Sequence, residues 1–258
     1  MDWRRRYQLV SLLAPIVLWQ AVVSFGIVST AVLPPPIAIA GRTVTLFGEA
    51  GFLEHLIATL RRTALASVFA TFGGSLVGFA MAAHRTVRAV LSPVVAAIFA
   101  LPVVAMFPLV ILVLASEGAA IVFTAAVGSF ILVVWNARNG ARSVDPVFLE
   151  VARDNGARSP LALLREVWLP GALPLVFVGA RLGLSMSLLI VVAVEFIAGN
   201  DGLGYVLWIS WQAYQLPGLY ATLVVVGGIG LAITEGLARL RVRVIPWDQN
   251  GHDVVVGP

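Results

Sequence analysis

From Leu173 to Ala198 the chain reads "LPLVFVGARLGLSMSLLIVVAVEFIA", almost wholly apolar, with Arg181 and Glu195 its only ionisable side chains. Runs of this kind recur along the sequence. They reach the roughly 20 residues that a helix needs to cross a hydrocarbon core about 30 Å thick. No water is available there for backbone N–H and C=O groups, so long continuous apolar runs in that medium are helices that satisfy themselves. Across 258 residues, 60% are hydrophobic and 12% charged, with a mean hydropathy of +0.97. That leaves too little polar surface for a soluble domain. The expected fold class is all-α: a polytopic transmembrane helix bundle of about six spans.

The spans are expected at about Leu9–Val28, Thr63–Ala83, Val90–Ala115, Ala119–Trp135, Leu173–Ala198 and Leu219–Leu240. The N-terminus, "MDWRRRYQLVSLLAPIVLWQAVVSFGIV", has the basic head and apolar run of a signal peptide. Its run is too long for a usual signal core and no A-x-A-like site closes it, so it reads as a retained first span. Pro93, Pro102 and Pro108 in the third span predict kinking, which a membrane tolerates where protein or a wet cavity takes up the freed carbonyls. In the second span Gly74 and Gly78 lie one turn apart and predict close helix packing. The segment Gly199–Gly218 reads as a polar loop whose glycines make turns beside an outer gate.

Arginine sets the orientation. With the N-terminus in the cytoplasm and six alternating spans, the inner segments hold Arg4, Arg5, Arg6, Arg85, Arg88, Arg138, Arg142, Arg153, Arg158, Arg165, Arg239, Arg241 and Arg243. The outer segments hold Arg42, Arg61 and Arg62, the last two as anchors for the outer end of the second span. This positive-inside excess places both termini in the cytoplasm. The same reading assigns the net charge of +4 to membrane topology rather than to nucleic acid.

Other classes drop out on residue content. All 17 basic residues are Arg, which excludes a Walker A lysine, a Schiff-base lysine and a Ser–Lys dyad. Absence of Cys removes disulfides, thiolate nucleophiles and thiolate metal sites. His55, His84 and His252 lie far apart without a metal-ligand spacing, so no metal is expected.

One cytoplasmic segment breaks the apolar pattern. "EVARDNGARSPLALLREVWLP", residues 150 to 170, carries Glu150, Arg153, Asp154, Arg158, Arg165 and Glu166. Asp145–Pro146 predicts a helix start, with Glu150 favoured near the positive end of the dipole. Val147, Phe148, Val151 and Ala152 give it an apolar side. Asn155–Gly156 predicts a stop, because both residues tolerate the left-handed conformation. Ser159–Pro160 predicts a restart with Ser as cap, and Leu169–Pro170 a second stop. Two readings stay open: an interfacial helix on lipid headgroups, or a knob that docks a soluble protein. Acidic residues mixed into the polar face count against the first.

This stretch resembles the EAA loop of permease subunits of bacterial ABC importers that depend on a substrate-binding protein. Glu150, Val151 and Ala152 match E-A-A with Val for one Ala, and Gly156 falls at the family position. Leu169–Pro170 matches the closing L-P one residue late, which an extra residue near Pro160 would explain. Further along, "LPPP", "HLIATLRRT", "LPVVAMFPLVIL", "LPGALP" and "EFIAGNDGLGY" resemble the sulfonate, taurine and nitrate branch, and the resemblance runs from about Leu33 to Trp247. It implies a type I ABC importer permease core with a cytoplasmic coupling helix, in the bacterial inner membrane. Residues 1–32 would be the inner N-terminal end and first span, 33–62 an external connection, 63–243 the core with its coupling loop at about 138–172, and 244–258 a cytoplasmic tail.

The resemblance also implies partners: two copies of an ABC ATP-binding subunit, a second permease copy as a homodimer, and an external solute-binding protein. This chain itself is expected to bind no cofactor, with ATP and Mg held on the ATPase. Glu150, Val151, Ala152, Asp154, Asn155, Gly156, Ala157, Leu164 and Pro170 would couple to that subunit. The chain would then be a non-catalytic transport subunit for a small anionic, sulfonate-, nitrate- or pyrimidine-like solute.

Ionisable groups within spans cost roughly 2.5–3.5 kcal/mol on insertion scales and so ask for a role. Glu195 is either a gate or pathway residue or a structural carboxylate bonded to the backbone of "GNDGLGY". Arg181 either snorkels to the headgroups or lines the pathway. Ser185, Met186 and Ser187 are candidates for the lumen, although serine in membrane helices usually back-bonds or packs. Glu235 is placed to pair with Arg239 at i, i+4. An ion-gradient-driven secondary transporter is the rival reading. It calls for several intramembrane carboxylates and related halves, and the sequence offers one clear carboxylate and no clear repeat. An intramembrane enzyme would need a nucleophile–base pair or metal ligands that Glu195 alone does not supply.

Overall fold

A computed structural model describes residues 3–157 and 159–247. Arg158, His252 and most of the tail lie outside the described residues, and so do the side chains of Arg4, Arg5 and Arg6. Every described element is helical: α1 (Trp3–Ser24), α2 (Pro36–Leu46), α3 (Phe52–Ala83), α4 (Arg85–Ala100), a short 3-10 turn (Val103–Met106), α5 (Phe107–Leu114) and α6 (Glu117–Arg142). These are followed by α7 (Pro146–Asp154), α8 (Pro160–Leu163), a π turn (Leu164–Trp168), α9 (Leu169–Ala198), α10 (Leu203–Gln212) and α11 (Leu216–Val244).

Four described helices are long and apolar enough to cross a membrane: α3, α6, the run Leu161–Ala198 that contains α9, and α11. One of the six expected spans takes another form. The expected first span falls on α1, a helix of 22 residues. The expected third span is two helices bent by 90° between Ala100 and Val103. Of its three prolines, Pro102 makes the bend. Leu101, ahead of it, is held extended at φ −76, ψ 138, as a residue before proline prefers. Pro93 rides inside α4, and Pro108 sits in the first turn of α5, where no N–H is needed.

The chain divides into two compact units. One comprises the chain up to Ala58 with Glu195–Ile229, the other Thr59–Val194 with the chain from Gly230 on. In the second unit α6 is the central helix. Its Ala120, Ile121 and Ala125 pack with Ala66 of α3, Phe107 of α5 and Val191 of α9. Further along, Ile131 and Val134 meet Met81 and Val95. Gly78 is the close approach predicted from its spacing with Gly74: a Cβ there would lie 2.7 Å from the Val134 carbonyl oxygen and 2.8 Å from Ala137 Cβ. In the first unit Ile39, Leu46, Phe52, Leu203, Val206, Ala221 and Val225 form one apolar cluster. The expected polar loop after Ala198 is there largely helical, as α10, whose Leu203, Val206 and Leu207 are buried.

Candidate functional site

The charged segment folds as its local signals require, up to its end. Asp145 caps α7, its Oδ1 accepting from the Val147 N–H at 2.9 Å, and Pro146 occupies the first turn. At the other end Asn155 Nδ2 donates to the Val151 carbonyl at 2.7 Å. Gly156 then turns at φ +100, and the Ala157 N–H returns to the Ala152 carbonyl at 2.9 Å. This closure satisfies carbonyls that a helix end would otherwise leave open. Ser159 Oγ accepts from the Ala162 N–H at 3.1 Å as the expected cap of α8.

The expected stop at Leu169–Pro170 is not a stop. The helix runs on through the π turn into α9, with the Leu169 N–H bonded to the Leu164 carbonyl five residues back. A π turn holds one residue more than an α turn, and such turns recur at functional sites. The Leu169–Pro170 pair thus lies within a continuous helix, just past the π turn.

Exposure divides the segment into a footing and a free face. Ala157 and Leu163 are buried, and Ala152, Leu164 and Pro170 are half-buried. Glu150, Val151, Asp154, Asn155 and Gly156 are exposed. The apolar side of α7 is largely uncovered: Val147, Phe148 and Val151 are 57%, 63% and 52% exposed. A nine-residue helix with a buried root, an apolar stripe and a mixed-charge rim has the composition of a protein-docking surface, with aromatic and aliphatic anchors inside a polar border.

The second candidate site is at Glu195, which is fully buried. Its Oε2 accepts from the Gly204 N–H at 3.2 Å, so the carboxylate occupies the N-terminus of α10. No cap comes from α10's own N-cap residue, Gly202, which has φ 99 and ψ 171. That glycine lies directly against the Glu195 carboxylate, and any Cβ would overlap it. The Gly202 N–H donates to His55 Nδ1 at 3.1 Å, and the His55 ring packs on Tyr205 at 5.7 Å. Bonding to the backbone of "GNDGLGY" is the geometry of the structural reading. The sequence offers no signal for His55 in this role, because its partner is 147 residues away.

The remaining candidates separate. Arg181 and Ser185 are half-buried on α9. Met186 is 39% exposed and lines a cavity of about 180 Å³ with Ile98, Leu101, Val103, Gly128 and Ile190. Ser187 faces a neighbouring helix, its Oγ 2.7 Å from Ser129 Oγ in a buried contact. Glu235 and Arg239 are both exposed and form no ion pair among the described residues. An exposed pair gains too little to hold two long side chains in one geometry. Arg61 is exposed and Arg62 buried, and both border a larger cavity of about 890 Å³.

The family model described as "Binding-protein-dependent transport system inner membrane component" matches residues 70–243. The taurine transport system permease protein TauC of Escherichia coli (strain K12) is 31% identical over 237 residues, covering 90% of this chain and 86% of that one. The riboflavin transport system permease protein RibX of Chloroflexus aurantiacus is 31% identical over 240 residues, covering 93% and 89%. Among solved structures, a bacterial alginate ABC transporter in complex with its alginate-bound periplasmic protein aligns over 94% of this chain and 96% of that chain. The TM-score is 0.65 at 15% identity, a likeness of fold.

Proposed function

Because this chain belongs to the family of binding-protein-dependent transport system inner membrane components, and is thus a permease subunit of an ABC importer, we propose that it is driven through α7 by a separate ATPase. The observation that carries this reading is the uncovered stripe of Val147, Phe148 and Val151 on a short helix rooted at Ala157 and Leu163. A chain without lysine has no Walker A motif of its own, so ATP and Mg belong to the partner. Two ATPase subunits, each seated on one α7, would act on a pair of identical permease chains. ATP-driven closure would draw the two knobs together and open the pathway outward, where a binding protein delivers solute. The termini lie in the cytoplasm in this arrangement, the side that the arginine distribution selects.

Continuity of the helix through the π turn supports the mechanical part. α7 packs against α8 and the π turn, and from α8 the helix runs unbroken into α9, which carries Arg181, Ser185 and Met186 as candidate pathway residues. The solute is small, of the sulfonate or taurine kind to which TauC's name points. RibX, equally identical, is named for riboflavin, which is therefore the rival solute in the test. The test is uptake into proteoliposomes holding this chain, its ATPase and its binding protein, with radiolabelled taurine and riboflavin as probes. ATP-dependent taurine uptake is expected. Uptake under an ion gradient without ATP would overturn the coupling reading, and ATP-dependent riboflavin uptake would overturn the solute.

A further inference from the structure

A groove of about 890 Å³ runs between α3 and α6, at the upper end of the roughly 300–1,000 Å³ usual for small-molecule sites. Its walls are apolar: Leu65 and Phe69 on one side, Val122, Phe123 and Ala126 on the other, with Phe130 at the deep end. Leu65, Phe69 and Phe123 are exposed. They belong to two helices of membrane-crossing length, so the medium they meet is hydrocarbon. The mouth is different. Arg61 and Arg62 stand there beside Ser116 and Gly118, where α6 begins. A Cβ on Gly118 would be 4.0 Å from Arg62 Nε, which sets that guanidinium against the positive end of the α6 dipole. Glu117 opens α6 with one carboxylate beside the buried Arg62, and Arg61 is the exposed guanidinium of the pair.

We propose that this groove is a phospholipid site, holding one acyl chain of an anionic lipid with its phosphate on Arg61 at the mouth. Three features select that occupant. The charge is confined to one end of an otherwise apolar slot, the pattern of a single-headed amphiphile. That charge presents the exposed Arg61, whose forked guanidinium donors suit phosphate oxygens. The slot also has the right length: Ser116 to Phe130 along α6 is roughly 21 Å at 1.5 Å per residue, enough for a chain that spans one leaflet of a core about 30 Å thick. The bound chain would fill the gap between α3 and α6 above their close contact at Gly78, steadying the helix pair.

The test uses the full-length chain with its partners, delipidated in mild detergent, and dioleoyl-phosphatidylglycerol as the probe. Native mass spectrometry is expected to show one lipid retained per chain, and the thermal midpoint to rise by several degrees with saturation, as binding to the folded state requires. Arg61→Ala should weaken phosphatidylglycerol about tenfold while leaving phosphatidylcholine unchanged. The groove-filling variants Ala126→Phe and Val122→Phe, either of which suffices if the other folds poorly, should abolish retention. Lipid retained at full stoichiometry in a folded groove-filling variant would overturn the proposal. An equal shift from inorganic phosphate would also do so. A third refutation would be a disulfide between two copies of a Phe123→Cys variant, which would show the groove covered by a second chain.

Discussion

Replacing Gly202 by alanine tests the Glu195 site more sharply than replacing Glu195 itself, because its cost has two separable sources. The backbone at φ 99, ψ 171 lies where residues other than glycine pay about 1–3 kcal/mol. Added to that, a Cβ overlaps the Glu195 carboxylate, which must move and give up its bond to the Gly204 N–H at 3.2 Å. Leaving a buried polar group without its partner costs about 1–3 kcal/mol, so Gly202→Ala should cost roughly 2–6 kcal/mol in all. With Glu195→Ala already made the overlap is gone, and the second substitution should cost only the backbone part, about 1–3 kcal/mol. The double-mutant cycle therefore predicts a coupling of about 1–3 kcal/mol. Glu195→Gln keeps the bulk and should give no such relief. Thermal unfolding in detergent reads this through tryptophan fluorescence, since Trp208 and Trp211 lie on α10 itself. At about 2–4 °C per kcal/mol the coupling amounts to several degrees. Costs that add within about 0.5 kcal/mol would refute the claim that the carboxylate and the glycine form one site.

Other consequences follow from the same geometry. His55→Phe keeps a ring against Tyr205 but removes the acceptor of the Gly202 N–H, and should speed hydrogen exchange at that amide about fivefold, or about 1 kcal/mol; unchanged exchange would contradict the bond. Gly78→Val places a branched side chain against the Val134 carbonyl and Ala137 and should cost about 1–3 kcal/mol or more, seen as loss of folded protein from membranes. Ser187→Ala should cost only about 0.6 kcal/mol, the average for such interhelical bonds, and leave uptake intact, because Ser129 still donates to the Ala125 carbonyl. A large uptake defect would return Ser187 to the pathway. Gly156→Ala meets no neighbouring atom at its Cβ, so its cost should be the left-handed backbone alone, about 1–2 kcal/mol, with Gly156→Asn milder.

How far the sequence could be read depended on whether the deciding interaction was local. α7 was legible at both ends, because Asp145–Pro146 and Asn155–Gly156 cap and close a helix using residues within it. Gly74 and Gly78 gave away a close contact for a similar reason, since their spacing is a property of one helix face. The π turn at Leu164–Trp168 was not legible, and Leu169–Pro170 read as a terminus because proline normally ends an α-helix. Three prolines marked the third span, but a proline's effect depends on where the helix begins. Only Pro102, behind an extended Leu101, breaks the chain.

Long-range partners explain most of what stayed hidden. α10 lacks a side-chain cap of its own and begins in a run of glycines, so it reads as a turn until the buried Glu195 carboxylate supplies the missing acceptor. Ser185, Met186 and Ser187 are consecutive and looked equivalent as candidates. Helix packing distinguishes them: Ser187 turns to Ser129, Met186 to a small cavity, and Ser185 stays half-buried. The Arg61–Arg62 pair read as a simple anchor, because the groove beside it exists only once α6 is in place.

Site-specific photocrosslinking from α7 tests the central claim most directly. A benzoylphenylalanine at position 148 replaces the most exposed aromatic of the knob, and one at position 69, in the α3–α6 groove, serves as the control. In native membranes the account predicts that position 148 captures a Walker-motif ATPase, that Glu150→Arg with Gly156→Asp abolishes the capture, and that position 69 captures no ATPase. Folded protein that captures no ATPase from position 148, or lipid alone, would contradict it and return α7 to the membrane surface.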